Sequence, residues 1–182
     1  MHITFANKIT IFRILCVPAF IVTVLYYSSL NVYLKTVALA IFLFATLSDV
    51  VDGYIARKFH QSTKMGALLD PLADKLLLMS AFACLFIKRA EFGVVQLPFW
   101  LLVVVMSRDI ILLAGSVILH ITNSQMKIEP TLAGKLTMFF QVLAILGIFF
   151  QWSWSFYLWA IVLVLAIATT VDYIKRNIQP AG

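Results

Sequence analysis

The segment SDVVDGYIARKFHQSTKMGALLDPLADK, residues 48–75, carries Asp49, Asp52, Asp70 and Asp74. These are four of the chain's eight carboxylates, in a sequence that is 63% hydrophobic and 12% charged. On helices, the spacings of Asp49 to Asp52 and of Asp70 to Asp74 each put a pair on one face. Four carboxylates that converge at membrane depth cannot all stay ionised unpaired, because burial and mutual repulsion both disfavour the charge. A divalent metal resolves both costs. An oxygen-only ligand set selects a hard cation, Mg²⁺ or Mn²⁺, over zinc. The cysteine or extra histidine that zinc would want is not nearby, and His60 reads as a solvated loop residue.

Between the two pairs lie Gly53, Ala56 and Arg57, then Ser62, Thr63 and Gly66. The small residues at 53, 56 and 66 let helices or a ligand approach closely. Arg57 offers a planar fork to a phosphate and Thr63 a hydroxyl. Carboxylates, metal and an arginine beside small residues suit a metal-bound pyrophosphate. The chemistry expected is phosphoryl-group transfer at a membrane surface.

The elements that must position these groups are set by hydropathy. A mean hydropathy of +1.00 over 182 residues excludes an ordinary soluble domain. A bilayer-spanning helix needs about 20 apolar residues. Six such spans are expected, at 9–30, 32–57, 66–88, 95–120, 133–151 and 153–174. The fold class expected is all-α, a polytopic membrane helix bundle forming one domain over 1–182. The first span is expected to be retained rather than cleaved. The apolar run 36–48 is too short to span alone, so the second helix must continue through Asp49 and Asp52. Gly66 is expected to open the third helix, with Pro71 about one turn inside it, where a missing N–H is tolerated.

With six spans, both termini share a side with the 57–65 and 121–132 loops. That side carries Lys8, Arg57, Lys58, Lys64, Lys127, Lys175 and Arg176; the other carries Lys35, Lys88 and Arg89. The bias puts both termini in the cytoplasm and the aspartates at the cytoplasmic face. The net charge of +6 then belongs to loops facing anionic lipid, not to nucleic-acid binding. Cys16 and Cys84, within different spans, read as small buried hydrophobes rather than as a disulfide or metal pair.

The segment DVVDGYIARKFHQSTKMGALLDPLAD resembles the signature of the CDP-alcohol phosphotransferase family, D-x2-D-G-x2-A-R-x8-G-x3-D-x3-D, at every fixed position. Chance agreement at one start is on the order of 10⁻¹⁰ if each residue type occurs about once in twenty. NKITIFR, residues 7–13, is similar to the family's N-x2-T-x2-R entry to helix one. The resemblance implies a six-helix membrane enzyme, usually a homodimer, that moves a phosphatidyl-type group from a CDP-linked lipid to an alcohol and releases CMP. It implies two metal ions on Asp49, Asp52, Asp70 and Asp74, with Asp74 also the base that takes the acceptor's proton. Gly53, Arg57 and Thr63 match positions that contact the CDP moiety, and Asn7, Thr10 and Arg13 are expected to border the same pocket.

The acceptor is expected to be glycerol 3-phosphate, with phosphatidylglycerol as the alternative and CDP-diacylglycerol as donor. Arg108 and Lys135 are charges within or beside spans, and such charges are functional candidates by default. They could clamp an acceptor phosphate. Alternatively, Arg108 pairs with Asp109 or another buried acid, and Lys135 snorkels to the interface. Chain length and the NKITIFR start resemble members that use glycerol 3-phosphate. Thr137, where those members commonly place a second lysine, and the stretches SRDIILLAG and PTLAGK resemble members that use phosphatidylglycerol. An ion or proton transporter is the rival class. It would spread its charges about the midplane, often between repeats, whereas these acids gather at one rim and no repeat is visible. The setting expected is a bacterial inner membrane.

Overall fold

The computed structural model describes residues 5–28, 30–59, 64–121 and 132–178. Of these, the side chains of 5–9, 49–59, 64–71, 116–121, 174 and 176–178 fall outside the description. Seven helices and no strand are found among the described residues: α1 Phe5–Leu25, α2 Tyr33–Phe59, α3 Lys64–Ile87, α4 Arg89–Phe92, α5 Phe99–Ile121, α6 Leu132–Phe149 and α7 Ser155–Ile178. The six long helices follow the six expected spans. Two of them, α6 and α7 to Tyr173, are long and apolar enough to cross a membrane among the described residues.

Three details differ from expectation. α3 begins at Lys64, ahead of Gly66, so Pro71 falls about two turns inside it rather than one. A short helix, α4, follows α3 and has too few residues to show a period. α5 starts at Phe99 instead of near 95, because Pro98 lacks an N–H and its carbonyl accepts the first bonds, from Leu101 and Leu102 at 3.2 and 3.3 Å.

The chain forms two compact units, residues 1–91 and 92–182. In the first, α1 packs against α2 and α3, and α2 packs against α3. The inward stripe of α1 is Thr10, Arg13, Phe20 and Val24, recurring at helical spacing, and it turns from polar to apolar along the helix; Tyr27, just past its end, is also buried. The stripe meets Ala38, Phe42 and Ala45 of α2, with the Phe20 and Phe42 rings 5.9 Å apart. On α3, Ala73, Leu77, Leu78, Ala81 and Leu85 are buried. Pro18 lies within α1, and the helix runs through it. Small alanines at these contacts let backbones approach, the usual means of helix association where apolar burial itself gives little drive.

In the second unit, α7 packs against both α5 and α6. Gly115 of α5 lies against the hydroxyl end of Tyr173 of α7, which an added Cβ would displace. The loop after α4 is pinned by Gln151: Val95 N–H donates to its Oε1 at 2.9 Å, and its Nε2 donates to Ile148 O at 2.8 Å. Gly93, with φ of 121°, lies against that amide, and a Cβ there would approach Gln151 Oε1 to 2.6 Å. Both units leave large apolar side chains outside, among them Phe12, Leu15, Phe44, Phe139 and Val164. A soluble monomer rarely carries so much exposed apolar surface.

Candidate functional site

α1 carries Asn7, Thr10 and Arg13, at a spacing that keeps them on one helical face. α2 carries Asp49, Asp52, Gly53 and Arg57 in its last turns, and α3 carries Asp70 and Asp74 in its first half. The three helices that bear these residues are the three that pack together in the first unit. The side chains of Asn7, Asp49, Asp52, Gly53, Arg57 and Asp70, and the whole of Thr63, lie outside the described residues.

Thr10, Arg13 and Asp74 are described. Thr10 is buried and Arg13 is 0% exposed. Arg13 Nη1 donates to Asp74 Oδ1, forming an ion pair between α1 and α3. Asp74 keeps 16% of its side chain exposed, so the carboxylate lies nearer the outside than the guanidinium that holds it. A buried guanidinium is tolerated only when a carboxylate neutralises it and hydrogen bonds satisfy it. The family resemblance assigns both residues to the site, but residue spacing did not reveal that they meet.

Arg108 and Lys135 belong to the second unit. Arg108 is 4% exposed and donates through Nη1 to Asp109 Oδ1 at 2.6 Å. Its Nε reaches Thr169 Oγ1 of α7 at 3.3 Å, and Gln141 Nε2 of α6 reaches Asp109 Oδ2 at 3.3 Å. Arg108 is paired with Asp109, a contact weighed from the sequence beside the phosphate clamp. Gln141 and Thr169 were not singled out by the sequence. The signal was there for Gln141, an amide within the apolar run FFQVLAILG. Lys135 is exposed near the start of α6. Thr137 is buried and donates to Ala133 O at 2.7 Å.

The sequence profile of the family described as CDP-alcohol phosphatidyltransferase matches residues 3–171. The chain is 32% identical to a "Probable phosphatidylglycerophosphate synthase" of Mycobacterium tuberculosis H37Rv, covering 97% of this chain and 83% of that protein. It is 33% identical to the "CDP-diacylglycerol–glycerol-3-phosphate 3-phosphatidyltransferase" of Aquifex aeolicus, with 95% of each chain covered. It is also 30% identical to a "Putative cardiolipin synthase" of Mycobacterium bovis, covering 93% and 84%.

Proposed function

The chain belongs to the CDP-alcohol phosphatidyltransferase family, and from that premise we propose that it transfers a phosphatidyl group from CDP-diacylglycerol to glycerol 3-phosphate, releasing CMP. The observation that carries this reading is the complete eight-position motif on α2 and α3, two helices that pack together. The relatives named for glycerol-3-phosphate transfer, similar over nearly the whole chain, support the choice of acceptor.

The donor set fits hard cations. Asp74, the one motif aspartate whose side chain is described, is a half-buried carboxylate beside a buried arginine. Asp49, Asp52, Asp70 and Asp74 would hold Mg²⁺ or Mn²⁺, two ions in all. Bound there, the metal supplies charge neutralisation for the bridging phosphates and for the departing CMP. Gly53, Arg57 and Thr63 bind the CDP moiety, with Asn7 and Thr10 beside them. Asp74 accepts the proton of the acceptor hydroxyl as that oxygen attacks the phosphorus next to the diacylglycerol, and the bond to CMP breaks. Lys135 supplies an exposed cation to the acceptor phosphate. Arg108, its charge shared with Asp109, adds its remaining N–H groups.

The setting of this chemistry is a membrane crossed six times, with both termini and the aspartates at the cytoplasmic face of a bacterial inner membrane, and with a homodimer as the working form. A second acceptor reading, phosphatidylglycerol, is favoured by one observation: buried Thr137 stands where a second lysine would otherwise serve an anionic acceptor. Purified protein with CDP-diacylglycerol and Mg²⁺, offered each acceptor separately, decides between them. Phosphatidylglycerophosphate is expected from glycerol 3-phosphate. Cardiolipin from phosphatidylglycerol, with glycerol 3-phosphate ignored, would reverse the choice.

A further inference from the structure

We infer that Arg13 is a positioning residue for the Asp74 carboxylate, setting its orientation from α1, rather than a contact for the CDP moiety. This rests on the proposed role of Asp74. The first observation is depth: Arg13 is 0% exposed while Asp74 retains 16%, so the carboxylate is the member of the pair with surface left open. The second is the surrounding face. Thr10, one turn earlier on the same side of α1, is 1% exposed, so Arg13 belongs to a stripe packed into the unit. The third is rigidity. Phe20 and Val24 continue the stripe at 0% exposure, and this anchors the α1 backbone that carries Arg13.

The guanidinium is planar, with N–H groups in a fixed fork, so an arginine held by a packed helix dictates carboxylate direction as well as charge. Lysine keeps the charge but is a rotatable point donor. Arg13→Lys therefore separates orientation from neutralisation. A misplacement of about 1 Å at a reacting group can cost on the order of 10²-fold in rate.

The test uses the purified full-length chain carrying Arg13→Lys, Asp74→Asn and both together. Arg13→Lys is expected to lower kcat about 10–100-fold, with the KM for CDP-diacylglycerol changed by less than about two-fold. On the Asp74→Asn background, Arg13→Lys should slow the enzyme no further, because the group it orients is already disabled. Mn²⁺ binding followed by electron paramagnetic resonance gives a readout independent of turnover. Arg13→Lys should weaken it in the native background and leave it unchanged in Asp74→Asn. Arg13→Gln, a neutral donor, replaces Arg13→Lys in every comparison if thermal unfolding shows that the lysine variant is not folded.

A tenfold rise in the KM for CDP-diacylglycerol with kcat preserved would overturn the inference in favour of a nucleotide contact. So would additive losses in the double variant, or Mn²⁺ affinity indifferent to residue 13. If the native chain transfers no phosphatidyl group at all, the proposed reaction fails by itself. The Mn²⁺ comparison still decides whether Arg13 sets Asp74.

Discussion

At the scale of single residues, the proposed roles separate by kinetics. Asp74→Asn keeps the shape and loses the base, so turnover should fall by a factor on the order of 10² to 10⁴ while CDP-diacylglycerol binding persists. Near-normal turnover would mean that the proton leaves by another route. Asp49→Asn removes a proposed metal ligand instead, and excess Mg²⁺ should restore part of its activity, which it cannot do for Asp74→Asn. Lys135 tests the acceptor. Glycerol 3-phosphate is a small dianion, and a charge-assisted bond to it contributes about 1.5–3 kcal/mol. Lys135→Met should therefore raise the KM for glycerol 3-phosphate roughly ten- to a hundred-fold and disturb that for CDP-diacylglycerol less. Thr137 makes this dependence sharper. It is buried and bonded to Ala133 O, so no second cation at that position shares the acceptor phosphate with Lys135.

At the scale of elements, Asp109 is the hub that ties α5 to its neighbours, since Arg108 extends to Thr169 of α7 and Gln141 of α6 reaches Asp109 itself. Asp109→Leu would strand the buried Arg108 charge and should destabilise the fold by about 3–5 kcal/mol. Replacing both, as Arg108→Met with Asp109→Leu, leaves no stranded charge and should cost less. Equilibrium unfolding in detergent micelles compares them, and equal losses would show that the pair is not what joins these helices. The six long helices are legible in the sequence because apolar length is a local property, read within one window. The short α4 is not, because Arg89–Phe92 is too brief to show a pattern. The motif aspartates are likewise legible, since their spacing is local to two helices. The pairing of Arg13 with Asp74 and the reach of Arg108 to Thr169 each join residues 61 apart. No periodicity encodes such meetings; they follow from which helix faces pack.

At the scale of the whole molecule, the metal and the topology are each open to one decisive measurement. Chelation should abolish transfer, and Mg²⁺ or Mn²⁺ should restore it where Ca²⁺, which prefers larger and looser cages, does not. Full activity in chelator would remove the aspartates from metal binding. The topology turns on how many helices cross. Between Val94, in the loop after α4, and Lys175, near the end of α7, lie α5, α6 and α7. Three crossings put these positions on opposite sides of the bilayer. If only the two most apolar helices, α6 and α7, crossed, they would lie on the same side. Lys88 and Arg89, beside the first position, dissent from an orientation with cytoplasmic termini, although both are engaged locally. Lys88 Nζ bonds Glu91 Oε1 at 2.6 Å, and the Arg89 guanidinium lies 4.3 Å from the centre of the Phe86 ring. In the proposed topology the loops richer in Lys and Arg would mark the cytoplasmic side. Val94 is 94% exposed, so a cysteine there is reachable. In a chain with Cys16 and Cys84 replaced by alanine, Val94→Cys should react with a membrane-impermeant maleimide added to intact cells. Lys175→Cys should react only after the membrane is opened. The reverse pattern would invert the orientation, and equal labelling of both from one side would reduce the crossings from six to an arrangement in which α5 does not span.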